Sequence, residues 1–245
     1  MPMHDISLVV PVYNEAENVP ALFDAIQANI GTEAEIVICY DFEEDNTLPR
    51  VSERSSQFPH IKLVKNKFGR GPLGAIKSGF MEASGKAVVV IMADLSDDLA
   101  CVPKMVELFH EGCRVVAGSR YMKGGRQIGG PLLKKTMSRL AGVSLHYVVG
   151  LGTHDATNSF RLYDKKFLDG VEIESDGGFE ISLELTVKAH IQGLKIGEVP
   201  ATWTDRTAGQ SRFQLRKWLP KYLRWYWKAV RETSLGFRRP QPSGR

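Results

Sequence analysis

A rhythm is what most constrains this chain. Short, nearly uninterrupted apolar runs alternate with segments whose apolar residues recur at helical spacing. The first run is Ile6-Ser7-Leu8-Val9-Val10, stopped by Pro11. Asn18 and Pro20 then supply helix-start chemistry, and Val19, Leu22, Phe23, Ile26 and Ile30 follow at helical spacing up to Gly31. Runs at 35–39, 61–64, 87–92 and 114–118 repeat the first pattern. Leu73, Ile76, Phe80 and Ala83, and then residues 102–110, repeat the second. Strands that are apolar at nearly every position are buried on both faces. The pattern therefore predicts an α/β fold, a mostly parallel sheet with helices on both sides. After residue 130 the rhythm changes to a long helical stretch at 132–148, a polar loop, a helix near 179–192 and a strand at 195–199.

In such a sheet, chemistry gathers in the loops beyond the carboxyl ends of the strands. The first of these reads Pro11-Val12-Tyr13-Asn14-Glu15, an aromatic ring beside an amide and a carboxylate, able to stack on a nucleobase and bond its edge or ribose. The second holds Asp41, Glu43, Glu44 and Asp45 within five residues. Carboxylates so crowded repel one another unless a cation or hydrogen-bond donors neutralise them. The fourth strand ends in Met92-Ala93-Asp94-Leu95-Ser96-Asp97-Asp98, hard oxygens that suit Mg²⁺ or Mn²⁺ on a diphosphate. A helix cap is the simpler use of Asp97 or Asp98. Gly69-x-Gly71-x-x-Gly74 follows a strand and opens a helix, with Asp94 twenty residues beyond Gly74, as a dinucleotide fingerprint requires. It lies on the third strand unit rather than the first, and a dehydrogenase has no use for the acidic loop before it.

No apolar run approaches the ~20 residues that cross a bilayer, and the N-terminal residues enter a strand directly, with no secretory signal. Cys39, Cys101 and Cys113 sit among apolar neighbours and read as buried reduced thiols, which points to a cytoplasmic compartment. Charge is unevenly placed: residues 206–245 carry eleven Lys/Arg and one acid, Glu232, on a mildly acidic body. Within that tail Leu215, Trp218, Leu219, Tyr222, Leu223 and Tyr226 recur at helical spacing, with Lys217, Lys221, Arg224, Lys228 and Arg231 on another face. Basic residues opposite aromatic ones predict an interfacial helix on an anionic membrane, and Trp218, Trp225 and Trp227 fit a headgroup-level belt. Packing of these aromatics on the body is the alternative, and nucleic acid is not the expected partner. Pro220 starts or kinks the helix.

Five ordered blocks make the chain resemble glycosyltransferase family 2, in its dolichyl-phosphate mannosyltransferase-like branch. They are 11–15; Tyr40-Asp41-Phe42-Glu43-Glu44-Asp45-Asn46-Thr47, where the family has Asp-Asp-Gly-Ser-x-Asp-Gly-Thr; Gly118-Ser119-Arg120-Tyr121; Asn158-Ser159-Phe160-Arg161-Leu162-Tyr163; and Glu198-Val199-Pro200 with Asp205-Arg206-x-x-Gly209-x-Ser211. The resemblance implies a GT-A (Rossmann-like) domain over 1–213 and a basic amphipathic tail over 214–245. It implies an inverting hexosyltransferase using a GDP- or UDP-hexose, with Mg²⁺ or Mn²⁺, and a polyprenyl phosphate acceptor at the cytoplasmic face of a membrane. A glycan or glycolipid hydroxyl is the alternative acceptor, with a base from the acidic loop or Glu180. A non-catalytic sugar-nucleotide module is the alternative of another class. Carried over by residue, Pro11, Tyr13, Glu15, Asp41 and Asp45 hold the nucleotide. Asp94 is the metal ligand, joined by Asp97 or Asp98. Arg120 and Arg206 meet phosphates, and Ser159, Phe160, Arg161 and Ser211 line the acceptor side. Met92 stands where the family's Asp-x-Asp has its first carboxylate, and a thioether is a poor ligand for a hard cation.

Overall fold

The computed structural model describes residues 5–205 and 215–234. In chain order the elements are β1 (Ile6–Pro11), α1 (Val19–Asn29), β2 (Glu35–Tyr40), α2 (Thr47–Ser52), β3 (Ile61–Lys65), α3 (Pro72–Glu82), β4 (Ala87–Val90), α4 (Val102–His110), β5 (Val115–Ser119), β6 (Arg126–Ile128), α5 (Leu132–Val149), β7 (Arg161–Asp164), α6 (Lys165–Gly170), α7 (Ile181–Ile191), β8 (Ile196–Pro200), β9 (Thr202–Thr204) and α8 (Leu215–Ser234). Seven strands form one sheet in the order β3-β2-β1-β4-β7-β5-β8, and β6 and β9 form a separate two-stranded ribbon. Every neighbouring pair in the large sheet is parallel except those involving β7, which runs antiparallel to both β4 and β5. The carboxyl ends of β1, β2, β3, β4, β5 and β8 therefore share one edge.

The pleat sends alternate residues of β1 to opposite faces. Leu8 and Val10 join Phe23, Ile36, Phe58 and Met105 on one side; Val9 joins Val37, Phe80, Tyr163 and Leu185 on the other. Both sheet faces are covered, as the unbroken apolar strands require.

Two expectations from sequence change here. Residues 160 and 161, expected at the acceptor, belong to the centre of the sheet: Phe160 is buried just before β7, and Arg161 opens that strand between β4 and β5 with no exposed surface. The described part of the tail, Leu215–Ser234, is also one continuous helix through Pro220, and it packs inward. Trp225 and Ala229 are buried with Leu145 and Val149 of α5 and Leu183 and Val187 of α7. Trp218 lies against Gly178, where even a methyl group would collide with the indole. These anchors lie on both sides of Pro220 and hold the helix across the backbone hydrogen bond that proline cannot donate. Trp225 is thus a core residue, and only Leu223 and Trp227 among the large apolar side chains described on α8 are strongly exposed.

Candidate active site

The shared sheet edge is built by stitching loops together. Asp45 is almost fully buried, and its carboxylate accepts from the backbone amides of Asn14 (3.1 Å) and Thr47 (2.9 Å) and from the Thr47 hydroxyl. The Thr47 Oγ1 accepts in turn from the Glu15 amide (2.9 Å), the Asn14 side-chain oxygen accepts from the Asn46 amide (3.3 Å), and the Asn46 side-chain oxygen accepts from the Ala16 amide (3.2 Å). Donors rather than a cation settle this carboxylate, so Asp45, expected to hold the nucleotide, faces inward and fixes the loop that does the presenting. That loop carries Asn14 at φ 54°, a left-handed conformation that non-glycine residues seldom adopt. Beyond it Tyr13 stands 42% exposed, edge-on to the Phe42 ring at 5.4 Å. Glu15 is half-buried and accepts from Asn18 Nδ2 at 2.6 Å; Pro11 is buried at the strand end.

The glycine-rich loop has a purpose other than a dinucleotide fingerprint. One Asp41 oxygen accepts from Asn66 Nδ2 (2.7 Å), the other from the Gly71 amide (2.9 Å). Gly69 and Gly71 both have positive φ, and Gly74 lies so close to the Gly69 carbonyl and Asn66 that any Cβ there would collide. The three glycines fold residues 66–74 onto Asp41, and the loop fixes that carboxylate at the end of β2. Asn66 was not singled out by sequence; a polar residue directly after a strand, at the head of the glycine-rich loop, was the available signal.

At the end of β4, Asp94 and Asp97 converge. Asp94 Oδ1 accepts from the Ser96 amide at 3.1 Å. Asp97 Oδ2 accepts from the backbone N–H of Met92 at 3.0 Å. Burial, helped by the charge of Asp94, pushes the Asp97 carboxyl up to about 7, against the Met92 amide and Arg120. Leu95 between them has φ 58°. Asn14 and Leu95 are the two non-glycine residues with positive φ among those described, and both sit on this edge; such strain collects at sites that use it. Asp98 caps the following turn by accepting from the Ala100 amide at 3.2 Å, the simpler use that a carboxylate has at this position. No cluster of three His, Cys, Asp or Glu side chains able to hold a metal occurs among the described residues. Two adjacent carboxylates do fit a cation whose remaining ligands are water and substrate phosphate.

The arginines expected at phosphates differ in fate. Arg120 is gripped side-on by the fully buried Asp155: Nε to Oδ2 at 2.7 Å and Nη2 to Oδ1 at 3.0 Å, with its own backbone N–H on Oδ2 at 3.1 Å. Burial opposes ionisation of Asp155, but Arg120 outweighs it and holds the carboxyl below its usual range. The Arg120 fork is thereby engaged within the protein, and its expected phosphate contact gives way to a structural one. Asp155 was missed in the sequence; a buried arginine requires such a partner, and only the fold identifies it. Arg161 donates to the carbonyls of Asn158 (3.0 Å) and Asp155 and to Thr186. Phe160 is buried where Gly118 passes, too close for any Cβ. Neither can line an acceptor. Ser159, just before them, is half-buried. Arg206 and Ser211 lie outside the described residues, but their segment leaves from this edge: the Thr204 amide donates to Ser96 O at 3.0 Å, and the Asp205 amide to Ile128 O at 2.9 Å.

The profile described as Glycosyl transferase family 2 matches residues 7–171. The chain belongs to this family. Among its relatives, the dolichol-phosphate mannosyltransferase of Pyrococcus furiosus is 32% identical over 231 residues, which are 92% of this chain and 64% of that protein. The chain thus spans just under two thirds of that relative. The polyprenol monophosphomannose synthase of Mycolicibacterium smegmatis is 26% identical over 211 residues, covering 84% of this chain and 79% of that one. Among solved structures, glucosyl-3-phosphoglycerate synthase from Mycobacterium tuberculosis in complex with UDP superposes with a TM-score of 0.67 at 18% identity, covering 92% and 79% of the two chains. The same enzyme with Mn²⁺, UDP-glucose and phosphoglyceric acid gives 0.66, covering 94% and 79%. Family 2 members of this kind share the GT-A fold, which the sheet order here reproduces.

Proposed function

We propose that this family 2 chain moves a hexose, with inversion, from a nucleoside-diphosphate sugar to a polyprenyl phosphate at a membrane surface. The observation that carries the reading is the arrangement at one sheet edge. Tyr13 and Asp41 lie on the first two loops, where a nucleoside fits, and Asp94 with Asp97 lies on the fourth, where its diphosphate would reach. The two named relatives act on dolichol or polyprenol monophosphate and supply the acceptor class.

In this reading the Tyr13 ring stacks on the base and Asp41 accepts a hydrogen bond from it or from the ribose. Asp94 and Asp97 would hold Mg²⁺ or Mn²⁺ together with the diphosphate; the M. tuberculosis enzyme has been solved with Mn²⁺ and UDP-glucose. The cation supplies stabilisation of the charge that grows on the departing diphosphate. Met92 does not remove this capacity, because its backbone N–H orients Asp97 in place of the missing side chain. Arg206 and Ser211 are the further residues proposed to meet donor and acceptor.

A phosphate acceptor needs no general base, since its second pKa near ~6 leaves it largely dianionic at neutral pH. Three of the four carboxylates that could serve a sugar hydroxyl as base are otherwise engaged, and the fourth, Glu44, stands exposed to solvent. Glu43 pairs with Lys65 at 2.9 Å, Asp45 holds backbone amides, and the buried Glu180 accepts from the Gly177 amide at 2.6 Å and that of Gly178 at 2.5 Å. This favours the lipid phosphate over a glycan hydroxyl. Incubation with radiolabelled GDP- and UDP-hexoses tests the proposal: label should pass into an organic extract as lipid phosphate sugar. Label confined to soluble saccharide would overturn it, and nucleotide binding without turnover would leave a non-catalytic module.

A further inference from the structure

We infer that helix α5, rather than the C-terminal tail, is the face that docks this protein on an anionic bilayer. The inference deepens the lipid-acceptor reading and rests on it for its purpose, but its evidence is separate. Leu133, Leu140 and Tyr147 recur every seven residues along α5 and so lie in one line over about 21 Å. Gly142, Leu145 and Val149 are buried on the opposite side. The outward line is bare: Leu133 is 64% exposed, Leu140 65% and Tyr147 74%. Soluble proteins seldom leave such a stripe of large apolar side chains uncovered.

Charge identifies the occupant. Residues 121–149 contain five Lys/Arg and no Asp or Glu, and Lys123, Arg126 and Arg139 are exposed around the stripe. A second copy of the chain would set this cationic face against itself, because a two-fold contact pairs each patch with its like. An anionic lipid surface answers both the apolar line and the cations. The cations of α8 are differently placed: Glu174 takes Arg224 at 2.8 Å and Lys228 at 3.4 Å, and Asp176 takes Lys221 at 3.0 Å. Lys221, Arg224 and Lys228 thus each have an acidic partner within the protein.

The face also adjoins the site. Lys135 of α5 donates to the Gln127 carbonyl at 3.0 Å, and Tyr121, next to Arg120, bonds Gln127 at 3.0 Å and Ser138 of α5. Docking by α5 sets the loop after β5 against the lipid surface, where a polyprenyl phosphate headgroup lies.

Sedimentation with phosphatidylcholine vesicles, with and without phosphatidylglycerol, tests this. The intact chain should bind the anionic vesicles. Leu133→Glu with Leu140→Glu should weaken binding roughly tenfold or more at unchanged Tm, and Arg139→Gln should weaken it only where phosphatidylglycerol is present. The double variant should lose turnover of a vesicle-borne long-chain acceptor and keep turnover of a short-chain, water-soluble one. Failure of the intact chain to bind, binding unaltered in the double variant, or an intact dimer that the double variant splits would each overturn the inference. Vesicle binding with turnover of neither acceptor would sink the lipid-acceptor reading and leave the docking face standing.

Discussion

Asp155 holds Arg120 by two side-chain hydrogen bonds and one backbone bond, in a pocket where neither residue faces solvent. The pair joins the end of β5 to the loop before β7, and its carbonyl side also receives Arg161. Two strands of opposite direction are thus fastened at this edge.

Removing one partner leaves a buried charge without its counterion, at a cost of about 3–5 kcal/mol. Asp155→Asn should therefore lower Tm by roughly 10 °C, at ~2–4 °C per kcal/mol for a chain of this size. Arg120→Ala should do the same. A thermal scan separates the structural role from the phosphate role first expected of Arg120. Weakened donor binding at unchanged Tm would mean that Arg120 serves the diphosphate after all.

Asp94 makes the opposite prediction. It is half-exposed at the strand end and accepts one local amide, a bond that an asparagine oxygen can keep. Asp94→Asn should leave Tm within a degree or two while turnover falls about a hundredfold or more. The additional stabilisation that Mn²⁺ gives to the nucleoside-diphosphate complex should vanish with it. Persistence of that increment would place the cation elsewhere.

Much of this was legible in the sequence because the relevant forces are local. The parallel strands announced themselves through unbroken apolar runs, and the loops that follow them through clustered Asp, Asn and Gly. What was not legible depends on partners distant in the chain. Arg161 looks like a ligand and is a core residue, because Asp155 and Thr186 satisfy its guanidinium inside the sheet. Trp225 looks like a membrane anchor and is buried, with the Lys188, Arg224 and Lys228 cations 4.8 to 5.3 Å from its ring centre. The apolar period of α5 gives no sign of which of its two faces the body covers.

The burial of Trp225 gives a further prediction. It is 1% exposed against α5 and α7, and removing a large buried aromatic typically costs about 3–5 kcal/mol. Trp225→Ala should lower Tm on that scale in the absence of any lipid. Chemical denaturation checks it: an unchanged midpoint would return Trp225 to the membrane belt.

Acid stability should depend on the far end of the sheet. Burial works against ionisation of Glu35, but its bonds to Lys62, Ser7 and Ser84 outweigh this and hold the carboxyl below its usual range. A depressed folded pKa adds stability that is fully present above the unfolded value near 4.5 and is lost as pH falls through the folded one. Glu35→Gln should cost about 2 kcal/mol at neutral pH, and the difference from the parent should close in acid, below pH ~4. Turnover at saturating donor should not change, because Glu35 opens β2 at the end away from the site. A gap constant from neutral to acid pH would show that the charge of Glu35 is not what stabilises.

The glycine loop is open to the most local test. Gly74 sits where a single methyl group would strike the Gly69 carbonyl and Asn66, and the Asn66 Nδ2 bonds both that carbonyl and Asp41. Gly74→Ala must push residues 66–71 outward, since the obstacle is backbone and cannot swing away. The Asn66 and Gly71 donors then leave the Asp41 carboxylate, which loses its fixed orientation. Nucleoside-diphosphate binding should weaken roughly tenfold, the loss of about one well-placed hydrogen bond to a charged group. Cation binding at Asp94 and Asp97, on another loop, should be unaffected. Isothermal titration with GDP and UDP in the presence of Mn²⁺ reads both quantities. Equal affinities in parent and variant would show that the glycines serve only to close the helix start, and that Asp41 needs no support from them.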